Sequence, residues 1–148
     1  MSYLLKSALI ILSLLILLPG CATAPEKAKV IQIIDGDTIV IQGGYHVRYI
    51  GIDTPEEGQF YYEEAKEANQ AMVGGKSVHL EKDVSNRDKY GRLLRYVYVD
   101  SLFVNAELVR QGYAYAESYT PDTRYQDILE EAERQARETG SGIWRGSS

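Results

Sequence analysis

Cysteine occurs once among 148 residues and histidine twice, so a disulfide framework, a cysteine-based zinc cluster and a histidine-rich metal site are all excluded. Basic residues are also short: 16 Lys and Arg face 21 Asp and Glu, a net charge of −5. That balance excludes the polybasic coat of a histone-like nucleic-acid binder. Apolar residues are not short, at 45%, and twelve tyrosines are present, which excludes a disordered acidic tail. The length suits one ordinary globular domain.

The longest apolar run, Ala8 to Leu18 with only Ser13 interrupting, is also limited. As helix it spans about 16 Å at ~1.5 Å per residue, too short for a ~30 Å hydrocarbon core. With Lys6 as its positive flank it reads as a signal peptide over residues 1–20. Leu18-Pro19-Gly20-Cys21 resembles a bacterial lipobox, and the lone cysteine stands where that signal requires it. Lipidation of Cys21 is expected, and two or more acyl chains there would hold the protein at a membrane surface. The expected destination is export, with a lipid anchor in the cell membrane or outer membrane. Residues 21–29 read as the lipidated cysteine and a tether, and residues 30–145 as the domain.

Within that domain, β-rich runs at Val30–Ile34, Thr38–Ile41 and Tyr45–Ile52 are joined by Asp35-Gly36-Asp37 and Gly43-Gly44 turns, a three-strand meander. Helical spacing follows over Phe60–Val73, then strands at Ser77–Lys82 and Leu93–Val99. A short helix over Val104–Gln111 and a charged one over Asp122–Thr139 close the chain. Five strands with a helix between the third and fourth suggest an OB-type barrel.

Two acidic turns fall at strand ends: Asp35-Gly36-Asp37-Thr38 and Asp53-Thr54-Pro55-Glu56. Each is ordinary turn chemistry by itself. Together they bring carboxylates to one end of a barrel, where hard cations find oxygen ligands. Arg48 lies inside the third strand, out of character there unless paired. Arg92 ends the loop Asn86-Arg87-Asp88-Lys89-Tyr90-Gly91-Arg92. Guanidinium groups clamp phosphate at two points, so these residues make the parts for metal-assisted phosphodiester hydrolysis. His46 and His79 fall in strands without a partner pattern and read as structural or exposed.

The ordered set Ile34-Asp35-Gly36-Asp37-Thr38, Arg48 through Asp53-Thr54-Pro55-Glu56, Asp88-Lys89-Tyr90-Gly91-Arg92, Val104-Asn105 through Arg110-Gln111-Gly112, and Gly142-Ile143-Trp144 resembles the staphylococcal-nuclease-like (thermonuclease) family. The resemblance covers nearly all of residues 29–145. It implies a mainly β, α+β fold, a five-stranded OB barrel capped by about three helices. It further implies a Ca²⁺-dependent nuclease acting on DNA and RNA and leaving 3′-phosphate ends; a monomer is expected. On the matching positions, one Ca²⁺ would be held by the carboxylates of Asp37 and Asp53 and the backbone carbonyl of Thr54. Glu56 would position the attacking water, with a debated role as its base. Arg48 and Arg92 would hold the scissile phosphate, and Lys89 and Tyr90 a terminal one.

Three departures from the family pattern stand out. The segment after Glu56 is short. The family's phosphate-contacting tyrosine falls on Ser118, leaving Tyr115 and Tyr119 as substitutes. Strict alternation sends Arg48 and Asp53 to opposite faces, so the strand must end or bulge near Gly51. The alternative function is a catalytically inactive OB-fold lipoprotein that binds nucleic acid or protein. Such a relative would be expected to lose catalytic carboxylates or arginines first, and none is missing. The charge is also uneven: residues 87–95 carry Arg87, Lys89, Arg92 and Arg95 against Asp88 alone.

Overall fold

The computed structural model describes residues 23–146; the expected leader over residues 1–20 and Cys21 lie outside the described residues. No helix among the described residues is long and apolar enough to cross a membrane. Strands β1 (Lys27–Ile33), β2 (Thr38–Ile41) and β3 (Tyr45–Tyr49) form the expected antiparallel meander. Two short strands, β4 (Ile52–Asp53) and β8 (Tyr115–Ala116), pair apart from it. Strand β5 (Ser77–Glu81) pairs antiparallel with β1 and with β6 (Leu93–Val99), which carries the two-residue β7 (Leu102–Phe103) at its other edge. Parallel pairing of β3 with β6 then closes a five-stranded barrel. Helices α1 (Tyr62–Val73), α2 (Val104–Arg110) and α3 (Gln126–Glu138) cap it, and a 3-10 turn follows at Gly142–Trp144.

Strand β1 begins three residues before the expected domain start. Lys27 to Lys29 pair with β5, and Val30 to Ile33 pair with β2 after a register shift between Val30 and Gln32. That shift lets one strand serve two neighbours as the barrel bends. Alternation could not reveal its first half, because both lysines face solvent.

The barrel interior is filled by Val30, Ile39, Ile41, Val47, Val78, Leu80, Leu93 and Val97, and α2 seals it with Val104, Leu108 and Val109. On the other face of β6, Leu94 and Tyr96 join Ile50 in a smaller cluster against Phe103 and Tyr125. Period-2 alternation along β6 thus divides its residues between two cores.

The expected third strand, Tyr45–Ile52, is broken. It ends at Tyr49, turns through Ile50 and Gly51, and resumes as β4. Gly51 takes φ +78°, and a Cβ there would collide with Leu129 of α3, so only glycine suits the turn. Asn105, fully buried on α2, accepts from Val97 N–H through Oδ1 and donates from Nδ2 to Ile50 O, both at 2.9 Å. The break is therefore a built corner.

Candidate active site

The β2–β3 ladder sets Thr38 opposite Arg48, and Tyr49 N donates to Asp37 O at 2.9 Å. Asp37 thus reaches Arg48 from the neighbouring strand end. The Gly51 corner brings Asp53 round to the same guanidinium, resolving the conflict that strict alternation raised. Arg48 is only 7% exposed. Its Nε lies 3.2 Å from Asp37 Oδ1, and Nη2 donates to Asp53 Oδ1 at 3.1 Å. Nη1 donates to Tyr49 O at 2.6 Å and to Ile52 O at 2.8 Å. Of the five guanidinium N–H donors three make hydrogen bonds, Nε makes an ion-pair contact with Asp37, and one Nη2 hydrogen is left over.

Asp37 is equally enclosed. Oδ1 also accepts from the Thr38 hydroxyl, and Oδ2 accepts from both N–H and hydroxyl of Thr54, each at 3.0 Å. A Cβ on Gly36 would come within 2.9 Å of Thr54 and of Ala65 on α1, so the glycine lets helix, turn and Thr54 converge. Asp35 is a third acid here, which the sequence reading took only as a turn residue; its Oδ1 accepts from Asp37 N–H at 3.0 Å. Burial first, and then the Asp37 charge, push the Asp35 carboxyl up to about 6. Asp53 is raised too, chiefly by burial; Arg48 opposes this, while Asp37, Glu117 and Glu56 add to it. One buried cation therefore leaves several carboxylates under-compensated.

Glu56 is exposed at the mouth of this cluster, in a turn where its N–H donates to Gln59 Oε1 at 2.7 Å and Gln59 N–H donates to Glu56 O at 2.9 Å. Arg92, Lys89 and Tyr90 come from the loop that leads into β6. Asp88 organises it: Oδ2 accepts from Arg92 Nε at 2.7 Å, and Oδ1 accepts from the Tyr90 and Arg92 N–H groups at 2.9 and 3.0 Å. Burial alone would raise the Asp88 carboxyl, but these bonds and the Arg92 charge outweigh it and hold the value below the ordinary range. Lys89 and Arg92 flank the exposed Tyr90 ring, 5.1 and 5.5 Å from its centre. Direct contacts unite Asp37, Arg48, Asp53 and Thr54, whereas Arg92 is placed by the strand that runs parallel to β3.

The family model for staphylococcal nuclease homologues matches residues 46–146. The chain belongs to the staphylococcal nuclease family. It is 36% identical to a thermonuclease of Staphylococcus hyicus over 84% of this chain and 80% of the relative. Identity to endonuclease YncB of Bacillus subtilis is 42%, covering 86% and 68% of the two chains. An endonuclease of Haemophilus influenzae is 32% identical over 95% and 77%. This member of the staphylococcal nuclease family is accordingly a hydrolase of phosphodiester bonds, and its substrates are nucleic acids.

Several supports of the nuclease site carry no motif. Asn69 of α1 is buried, accepts from Tyr49 Oη at 2.8 Å and donates to Asp35 O at 2.9 Å. Its only sequence signal is an amide at four-residue spacing between Ala65 and Val73 on the buried stripe. The loop bearing Arg92 is pinned at its base by Arg95, which is 4% exposed. Arg95 donates to Asn86 O at 3.0 Å, Asn86 Oδ1 at 2.8 Å and Leu94 O at 2.7 Å, and has no acidic partner among the described residues. Burial first, then the Arg87 charge, lower its value. Asp122 pins the other end, accepting from Val84 and Ser85 N–H at 2.9 and 2.7 Å.

Tyr115 is opposite Asp53 in the β4–β8 pair, with its ring edge-on to Trp144 at 5.3 Å. Tyr119 packs against the Ile50, Leu94 and Tyr96 cluster. Ser118 Oγ donates to Gln126 Oε1 at 3.1 Å.

Proposed function

We propose that this nuclease is calcium-dependent, cleaves both DNA and RNA, leaves 3′-phosphate ends and acts as a monomer anchored to a membrane through lipidated Cys21. The observation that carries the reading is the buried Arg48, tied to Asp37 and Asp53 with one N–H to spare. The donor set suits one Ca²⁺: Asp37, Asp53 and the Thr54 carbonyl offer only hard oxygen atoms, and the surplus negative charge described above favours a divalent cation. Among the described residues no three His, Cys, Asp or Glu side chains gather as a cage, so backbone oxygen and water would complete the shell. Bound there, the ion would supply charge neutralisation and polarise the phosphoryl group.

Arg48 and Arg92 grip the scissile phosphate and stabilise its growing charge. Glu56 is exposed and near enough to Asp53 to act on its field, and it orients a water and accepts its proton. The water oxygen bonds to phosphorus, the bond to the 5′ oxygen breaks, and that oxygen leaves as a hydroxyl after taking up a proton. Lys89 and Tyr90 lie near a terminal phosphate of the bound nucleotide, and Tyr115 or Tyr119 substitutes for the family's tyrosine at Ser118. The leader supports export with the anchor in the cell membrane or outer membrane, and Cys21→Ser should abolish incorporation of labelled palmitate into the protein.

The test is digestion of single-stranded DNA and of RNA by the purified protein in calcium and in chelator, with the product ends assayed for 3′-phosphate. Calcium-dependent products bearing that phosphate are expected. Equal cleavage in chelator, or no cleavage at high protein concentration, overturns the reading.

A further inference from the structure

The turn after Glu56 delivers three consecutive aromatic residues, Phe60, Tyr61 and Tyr62, where the short loop departs from the family pattern. Phe60 is 72% exposed, about as open as Tyr90 on the loop that bears Arg92. Its ring centre lies 5.1 Å from that of Tyr61, which lies 5.8 Å from Tyr113 with the planes 26° apart. Tyr61 holds this arrangement with φ +71°, a left-handed conformation that bulky residues seldom adopt. The three rings form a continuous ledge whose outermost member has no cover.

The ledge adjoins the reacting centre. Ala65 N–H donates to Tyr61 O at 3.1 Å, and Ala65 is the α1 residue that meets Gly36 beside Thr54. One helical turn, about 5.4 Å of rise, separates the ledge from that contact. On its far side an open groove of about 710 Å³ is walled by Tyr61, Tyr113, Arg110 and Arg145. Arg110 is paired with Glu107, whereas Arg145 has no acidic partner among the described residues. The Phe60 ring, tilted 50° from Tyr61, leaves a face open to a base beside the phosphate-cleaving centre, and Arg145, with Glu138 on the same wall, lies in the adjoining groove within reach of a strand's phosphates.

We infer that Phe60, Tyr61 and Tyr113 form a stacking platform for an unpaired nucleobase of the substrate, with Phe60 as the contacting ring. The inference rests on the nuclease reading and adds one base contact to it, which an already stacked duplex base could not make. Phe60 touches the base and takes no part in the chemistry.

Binding of a dye-labelled short oligothymidylate to the full chain, read by fluorescence anisotropy in chelator, isolates this contact from cleavage. Phe60→Ala should weaken binding at least about 5-fold, the lower bound for one stacked base. Phe60→Trp should restore it, with indole quenching on binding. Replacing one base at a time by an abasic site should weaken wild-type binding sharply at one position and leave the Phe60→Ala variant indifferent there. In calcium, Phe60→Ala should raise KM and keep kcat. Unchanged affinity for Phe60→Ala, or equal abasic penalties in both proteins at every position, overturns the platform. A wild-type protein that shows these binding effects yet never cleaves overturns the calcium-nuclease reading alone.

Discussion

Arg48 and Arg92, which we propose grip one phosphate, are held by two regions built in contrasting ways. Arg48 belongs to a barrel wall: it is buried, joins two carboxylates and two carbonyls, and is framed by β2, the Gly51 corner and Thr54. Arg92 belongs to an exposed loop and depends on one carboxylate four residues away, with the loop base pinned by Arg95 and Asp122. In the wall, catalytic geometry and fold stability are the same set of bonds. In the loop they are separable.

The comparison predicts its largest effect at Arg48. Arg48→Ala should lower kcat/KM at least about 100-fold and also cost about 3–5 kcal/mol of stability in urea denaturation, because Asp37 would be left buried without its cation. Arg48→Lys should rescue neither, since an ammonium has three donors and no fork. Loss of activity with full stability would break the contrast from this side.

Arg92→Ala should cost a similar factor in kcat/KM, about 100-fold, with a stability change under about 1 kcal/mol, as expected for a partly exposed local ion pair. A drop in melting temperature as large as that of the Arg48 variant would show that loop and wall are one unit.

The smallest effect sharpens the contrast by pH. The folded Asp88 carboxyl titrates below its ordinary value of 3.8, so its contribution is fully present above that value and is lost as pH falls through the lower folded value. Amide signals of Asp88, Tyr90 and Arg92 should shift together in that acid window, before the barrel unfolds. Asp88→Asn should abolish the step and leave the signals of β2 and β3 unchanged.

The difference between wall and loop also explains what could be read in advance. The five barrel strands, α1 and α2 emerged from periodicity because apolar side chains at fixed spacing fill one interior. A charged residue inside a β-rich run pointed to Arg48, since burial demands a partner. Three features stayed hidden because long-range polar bonds set them. α3 starts at Gln126 instead of Asp122, as the Asp122 carboxylate is already bonded to the Val84 and Ser85 amides. Strand β8 has only two residues, too few for a pattern, and exists because β4 needs an edge. Asn69, Asn105 and the Arg95–Asn86 clasp are amides and a guanidinium whose partners lie elsewhere in the chain. The short segment after Glu56 was visible, but its stacked rings were not, because Tyr113 lies far along the sequence from Tyr61.

The pairing of Asp53 with Tyr115 has a consequence for synthesis. Glu117 N–H also donates to Gly51 O at 2.9 Å, and Glu133 of α3 accepts from Ala116 N–H at 2.6 Å. The corner that aims Asp53 at Arg48 is therefore braced by the last third of the polypeptide. A ribosome-bound copy that stops short of those residues can pair β1, β2 and β3 and still lack the brace for its acidic centre. Order at the acidic centre therefore depends on residues made long after those that compose it.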